Sequence, residues 1–254
     1  GGRHAWGAAR HRVDICVCVC DHDLGWLHAL AGPLSKEYVS LHLYYKCGQR
    51  SGLNVPDNFF RQVNRSYVED HYRADECSAW FAHLARHYNS LPEWTIFLHD
   101  DAPEHVPDLI WLRRVMEAAV LGMEDMRSDG SAPLPPLGFV GLSHNFMPPQ
   151  ADIKDGHGSD DVRALFQGLF QASLTPSGEV SSYCCAHFMV HRKRIYLRPQ
   201  GFYASALRWF ALPESLEGLW PYRPTRYILR NRRNCQLMQY YWHVVFGEPL
   251  AQPR

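Results

Sequence analysis

The stretch Val13 to Asp23 reads VDICVCVCDHD. An apolar run that stops abruptly at two carboxylates and an imidazole predicts a buried strand over Val13 to Cys20 whose carboxyl end opens onto a polar loop. Cys16, Cys18 and Cys20 alternate with Val17 and Val19, so on a strand the thiols share one face and the valines the other. Cysteines two apart on a strand are too distant to bridge without distortion, and no CxxC or Cys/His spacing suited to zinc is present. They are expected as small apolar fillers. Leu24 to Leu30 then reads as the first turns of a helix, with Asp23 at or near its N-cap.

Working outward, Tyr38 to Tyr45 (YVSLHLYY) is a second strand. Ala74 to Tyr88 places Cys77, Trp80, Phe81, Leu84, Ala85 and Tyr88 on one helical face. Asn89 to Pro92 ends that helix, and Trp94 to Leu98 (WTIFL) is a strand running straight into His99-Asp100-Asp101. Pro107 opens a helix to about Met126, as proline at a first turn does. Leu137 to Leu142 is a short strand, Val162 to Ala172 a helix, and Ser182 to Val190 one further buried strand. On that strand the adjacent Cys184 and Cys185 point to opposite faces. Pro199 to Phe210 and Asn234 to Phe246 are helices, while Leu53 to Arg73 and Met147 to Asp161 read as polar loops. Strands alternating with helices predict an α/β fold with a mainly parallel central sheet flanked by helices. It is expected as a single domain over 13–248, with 1–12 as an N-terminal extension or fragment edge and 249–254 as a tail.

Composition excludes other classes. The 254 residues are 46% apolar and 20% charged, with 26 Lys and Arg against 26 Asp and Glu. That is neither a disordered chain nor a generally basic nucleic-acid coat, and no apolar run is long enough to span a bilayer. The zero conceals an asymmetry: Glu93 to Asp161 holds 13 acids and 4 bases, whereas Val190 to Arg233 holds 10 bases and 2 acids. The compartment is not legible in this pattern.

In open α/β sheets ligands bind beyond the carboxyl ends of the strands. Two such ends carry paired carboxylates, Asp21 with Asp23 and Asp100 with Asp101. Hard oxygen ligands there suit Mg²⁺ or Mn²⁺ holding a phosphate, and His99 or His105 could add an imidazole. The competing reading is that these aspartates cap helices and make Asx-turns. Among the 15 histidines no HExxH or HxH cluster stands out. GxSxG, P-loop and GxGxxG patterns are absent.

Four stretches together resemble the family DUF3431. They are Cys20-Asp21-His22-Asp23-Leu24-Gly25-Trp26-Leu27; Glu76 to Pro92 with Thr95 to Asp101 after it; Tyr183 to Val190 continuing to Tyr203; and Trp242-His243-Val244-Val245-Phe246-Gly247. The resemblance implies a GT-A-like (Rossmann-like) fold and a glycosyltransferase using a nucleotide-sugar donor and a hydroxyl acceptor on a glycan or protein. It implies Mn²⁺ or Mg²⁺ on Asp100, Asp101 and His105. Asp21, Asp23, Trp26 and Lys46 are then expected at the nucleotide, and Glu76, Asp101, His187 and His243 are candidate catalytic groups. Three positions depart from the family's pattern. Val19 stands for an Arg, His22 for a Glu, and Gln239 for a Glu that could have served as a base. The alternative is therefore a catalytically inactive glycan- or nucleotide-binding module of the same fold.

Overall fold

The computed structural model describes residues 10–46, 54–68, 75–122, 138–150, 159–172, 180–211 and 231–250. Strand β1 (Val13–Val19) is central and buried, as its apolar run dictates. It pairs in parallel with β2 (Val39–Tyr45) on one side and β4 (Trp94–His99) on the other. Beyond β2 lies β3 (Gln62–Tyr67), an edge strand. Beyond β4 lie β8 (Phe188–His191), antiparallel, and then β5 (Phe139–Gly141). The six-stranded order is β3-β2-β1-β4-β8-β5, and a separate antiparallel pair joins β6 (Phe146–Gln150) to β7 (Val180–Tyr183).

Alternation along β1 assigns the two faces. Val13, Ile15, Val17 and Val19 pack with Leu41 and Leu43 under α4 (Leu109–Val120) and a 3₁₀ turn over Gly25–Leu30. Short α1 (Pro33–Tyr38) leads from that turn into β2, and one-turn α3 (Ala102–His105) follows β4. Cys16 and Cys18 point the other way, into Tyr44, Trp80 and Phe97 beneath α2 (Asp75–His87). On that face α2 packs against α7 (Gln200–Ala211) and α8 (Asn231–Met238), with α9 (Trp242–Val245) closing the core. Helix α5 (Ser159–Phe170) adds Leu165 and Phe166, and α6 (Arg192–Ile195) follows β8. Among the described residues no helix is long and apolar enough to cross a membrane.

The α/β architecture with a mostly parallel flanked sheet is as expected; several details differ. Gln62–Tyr67 is a strand within a stretch expected to be irregular, because an edge strand pairs on one side only and its sequence shows no buried face. Met147 to Gln150 likewise joins β6 instead of a loop. The expected single strand Ser182 to Val190 is two strands belonging to different sheets. Cys184 and Cys185 are joined by a disulfide, and Cys185 and Ala186 adopt φ of 66° and 52°, so the chain turns between them. The expected C-terminal helix breaks between Met238 and Trp242. Asp23 caps no helix: the 3₁₀ turn has Leu24 at its N-cap and no side-chain cap bond. Nor are the cysteines uniformly fillers. Cys16 and Cys18 are buried thiols, but Cys20 is disulfide-bonded, and Cys77 is bridged to Cys235 across 158 residues.

Candidate metal centre at the sheet switch point

Strand order reverses between β1 and β4, which makes the crevice beyond their carboxyl ends the topological switch point. The loop after β1 is pinned there by Asp100. Its Oδ2 accepts the backbone N–H groups of Cys20, Asp21 and His22 at 2.7, 2.9 and 3.0 Å. Trp26 closes the same clasp by donating its indole N–H to the Asp100 carbonyl at 2.8 Å. Both residues were expected at ligands, Asp100 at a metal and Trp26 at the nucleotide. The structure gives each a role in holding the β1 loop against β4.

Asp101 faces the other way, into imidazoles. His105 Nε2 lies 3.2 Å from its Oδ2 and His99 Nδ1 lies 3.6 Å from its Oδ1. His187, from the turn before β8, completes the group: its ring centroid is 4.6 Å from that of His99 and 5.2 Å from that of His105. Helix α2 supplies the back wall, with Trp80 stacked on His99 and Glu76 Oε1 3.8 Å from His99 Nε2. His99, Asp101 and His187 each offer one ligand atom, all within 4.8 Å of one another. His99 Nε2, Asp101 Oδ1 and His187 Nε2 are buried without a hydrogen-bond partner.

Charge in this group is unevenly divided. Burial works against a charged His99, but Glu76 and then Asp101 outweigh it and hold its pKa above the ordinary value. Burial likewise opposes the Asp101 carboxylate, yet His99, His105 and His187 hold it well below the usual range. Burial, and then the neighbouring His99 and His105, push His187 well below the ordinary value, so its ring is neutral, and its Nδ1 faces the His99 backbone N–H at 3.5 Å as acceptor. A neutral imidazole and an ionised carboxylate are the forms that ligate metals. Buried donor atoms that lack partners fit a divalent ion, which would satisfy them together.

The remaining expected residues are spread around this centre. Asp21 and Asp23 sit exposed on the β1 loop. Gly25 leaves room for the Asp23 carboxylate, since a Cβ there would stand 2.9 Å from its Oδ2. Lys46 is buried at the end of β2 and ties it to α2 by donating to Ser78 Oγ at 2.5 Å. His243 is buried in α9, its Nε2 3.0 Å from the Leu250 carbonyl, and burial pushes its pKa down to about 4. Gln239 accepts the Cys185 N–H at 3.3 Å through Oε1, which supports the turn that carries His187. Three arginines of the basic segment are engaged elsewhere. Arg192 pairs with Glu93 at 3.4 Å, Arg194 with Glu248 at 3.0 Å, and Arg198 donates to the Val244 and Val245 carbonyls. Arg223, Arg226 and Arg230 lie outside the described residues.

His187 as a ligand had no local signal in the sequence, because 88 positions separate it from His99. The HDD run itself was legible.

Fold and site together define an α/β protein with a carboxylate–imidazole cluster at the switch point of a mostly parallel sheet. The chain belongs to the family described as "Protein of unknown function (DUF3431)", which it matches over residues 23–253. No curated protein matches it.

Proposed function

We propose that the chain is a metal-dependent, GT-A-like glycosyltransferase acting on a nucleotide-sugar donor and a hydroxyl acceptor. The observation that carries this reading is the convergence of His99, Asp101 and His187, each with a buried atom that has no hydrogen-bond partner, at the switch point between β1 and β4. The β3-β2-β1-β4 half of the sheet has the order of a mononucleotide-binding unit, which supports a nucleotide there. Two imidazoles and a carboxylate favour Mn²⁺ over Mg²⁺, whose preference is for oxygen alone. The same donor set would suit ferrous iron; the nucleotide-binding half of the sheet favours the transferase reading. A divalent ion held there would neutralise the diphosphate as it leaves.

The chain's own groups do the rest. Asp21 and Asp23 on the pinned loop meet the base and ribose, and Asp100 with Trp26 fixes that loop in place before substrate arrives. Glu76 is the carboxylate beside the cluster and takes the acceptor proton. His105 orients Asp101 through its 3.2 Å contact. Gln239 serves as a hydrogen-bond acceptor for the turn before His187, a task a glutamate carboxylate would perform equally. Its departure from the family pattern therefore leaves the reactive groups in place and disfavours the inactive-module alternative.

Isothermal titration with UDP and UDP-sugars, with and without Mn²⁺, tests this. Heat that requires Mn²⁺ and vanishes in His187→Gln is expected. Absence of heat with every common nucleotide, together with an unchanged melting temperature, would sink the proposal.

A further inference from the structure

A second cluster of imidazoles lies at the opposite end of α2. His83 and His87 are four apart on that helix, so both rings fall on the face turned toward the sheet. Strand β2 supplies His42 and β1 supplies Asp14, whose side chains share that face. The three rings are mutually close, with centroids 4.8 Å apart for His42–His83, 5.2 Å for His42–His87 and 4.8 Å for His83–His87. Each offers a nitrogen within 4.8 Å of the others. Asp14 Oδ2 lies 3.3 Å from His42 Nε2 and 4.0 Å from His83 Nε2. A tetrahedron with bonds of about 2.0–2.1 Å has edges of about 3.4 Å. Side-chain rotations would therefore bring the three imidazole nitrogens onto one ion, with the Asp14 carboxylate beside His42 and His83.

We propose that His42, His83, His87 and Asp14 form a second metal site, selective for Zn²⁺, which fastens α2 to the sheet at the end remote from the switch point. Seven to eleven helical positions separate it from Glu76, or roughly 10–16 Å along the axis. It is therefore distinct from the cluster at His99.

Further observations support it. His83 is fully buried, and its Nε2 has no hydrogen-bond partner. Its other nitrogen, Nδ1, lies 2.8 Å from the Tyr44 hydroxyl, an outer contact that can fix the tautomer leaving Nε2 a lone pair. Three imidazoles with one carboxylate are a donor set for zinc rather than for magnesium or calcium. The site borders a cavity of about 510 Å³ lined by Asp14, His42 and His87 together with four arginines.

The test uses chelator-stripped full chain titrated with Co²⁺, a spectroscopic stand-in for Zn²⁺. Unsubstituted protein and Asp101→Asn should both develop the intense visible bands of four-coordinate Co²⁺, which Zn²⁺ then abolishes. Combined with Asp101→Asn, which removes the cluster at His99, His87→Gln at a half-buried position should keep the far-UV circular dichroism of the metal-free protein but lose the bands. Asp14→Asn should weaken Co²⁺ binding by at least about tenfold. Absence of bands in unsubstituted protein, bands surviving in the Asp101→Asn/His87→Gln double variant, or bands lost in Asp101→Asn alone would each overturn the proposal.

Discussion

Replacing Asp100 separates loop anchoring from the proposed metal binding. Its Oδ2 accepts three consecutive backbone N–H groups, at 2.7, 2.9 and 3.0 Å, from the loop that follows β1. A hydrogen bond to a charged acceptor contributes about 1.5–3 kcal/mol, and a donor left without a partner costs a similar amount. The three share one oxygen, and Asp21 and His22 are exposed, so water recovers part of the loss in Asp100→Ala. The expected destabilisation is about 3–5 kcal/mol rather than the simple sum. Asp100→Asn keeps a carbonyl acceptor without the charge and should cost about 1–2 kcal/mol. Urea denaturation in the presence of chelator measures both, as a lower midpoint at constant slope. With Mn²⁺ added, Asp100→Asn should still gain melting temperature, whereas Asp101→Asn should not. A loss below about 1 kcal/mol in Asp100→Ala would refute the anchoring argument. So would a Mn²⁺ response abolished in Asp100→Asn but kept in Asp101→Asn.

Other outcomes follow from single contacts. Because the folded pKa of His243 is lowered to about 4, the unfolded chain binds the extra proton between its ordinary value and that point. Stability therefore falls on acidification through this window, by about 2 kcal/mol at pH 5. His243→Gln should shrink the difference between denaturation midpoints at pH 8 and pH 5, and an unchanged difference would count against the assignment. His83 and His187, lowered by burial, add to the same trend. Removing the Cys77–Cys235 bridge by paired alanines frees a loop of 158 residues and should cost about 2–5 kcal/mol in guanidinium unfolding, with no loss indicating a bridge of no consequence. Cys16 and Cys18, fully or nearly buried, should resist thiol reagents in native protein and react once it is unfolded.

Much of the fold was legible because it rests on local periodicity. β1, β2 and β4 are short apolar runs bounded by polar residues, and α2 displays its buried stripe at helical spacing. The edge strand β3 was not legible, since pairing on one side imposes no alternation. Nor was the division of Ser182 to Val190: its apolar character suits one strand, and what divides it is a bond between adjacent cysteines and two left-handed residues. The site divides along the same line. Asp100 and Asp101 could be placed at a strand end, but nothing in a pair of adjacent aspartates says which faces the loop and which the cleft. The grouping of His83 and His87 was not legible, since it takes its meaning from His42 and Asp14, which arrive from other elements.

The sequence by itself determined that an apolar strand ending in VCDHD and another ending in LHDD would lie in a flanked, mainly parallel sheet. Burial of those runs leaves the chain few alternatives. Only the tertiary structure decided that β1 and β4 are neighbours and that Asp100 clasps one loop to the other. Only the tertiary structure brought His187 across 88 positions to meet His99 and Asp101. The physical reason is that periodicity reports which face of an element is buried. The convergence of polar groups from separate elements is set by pairing order and by the turns between strands.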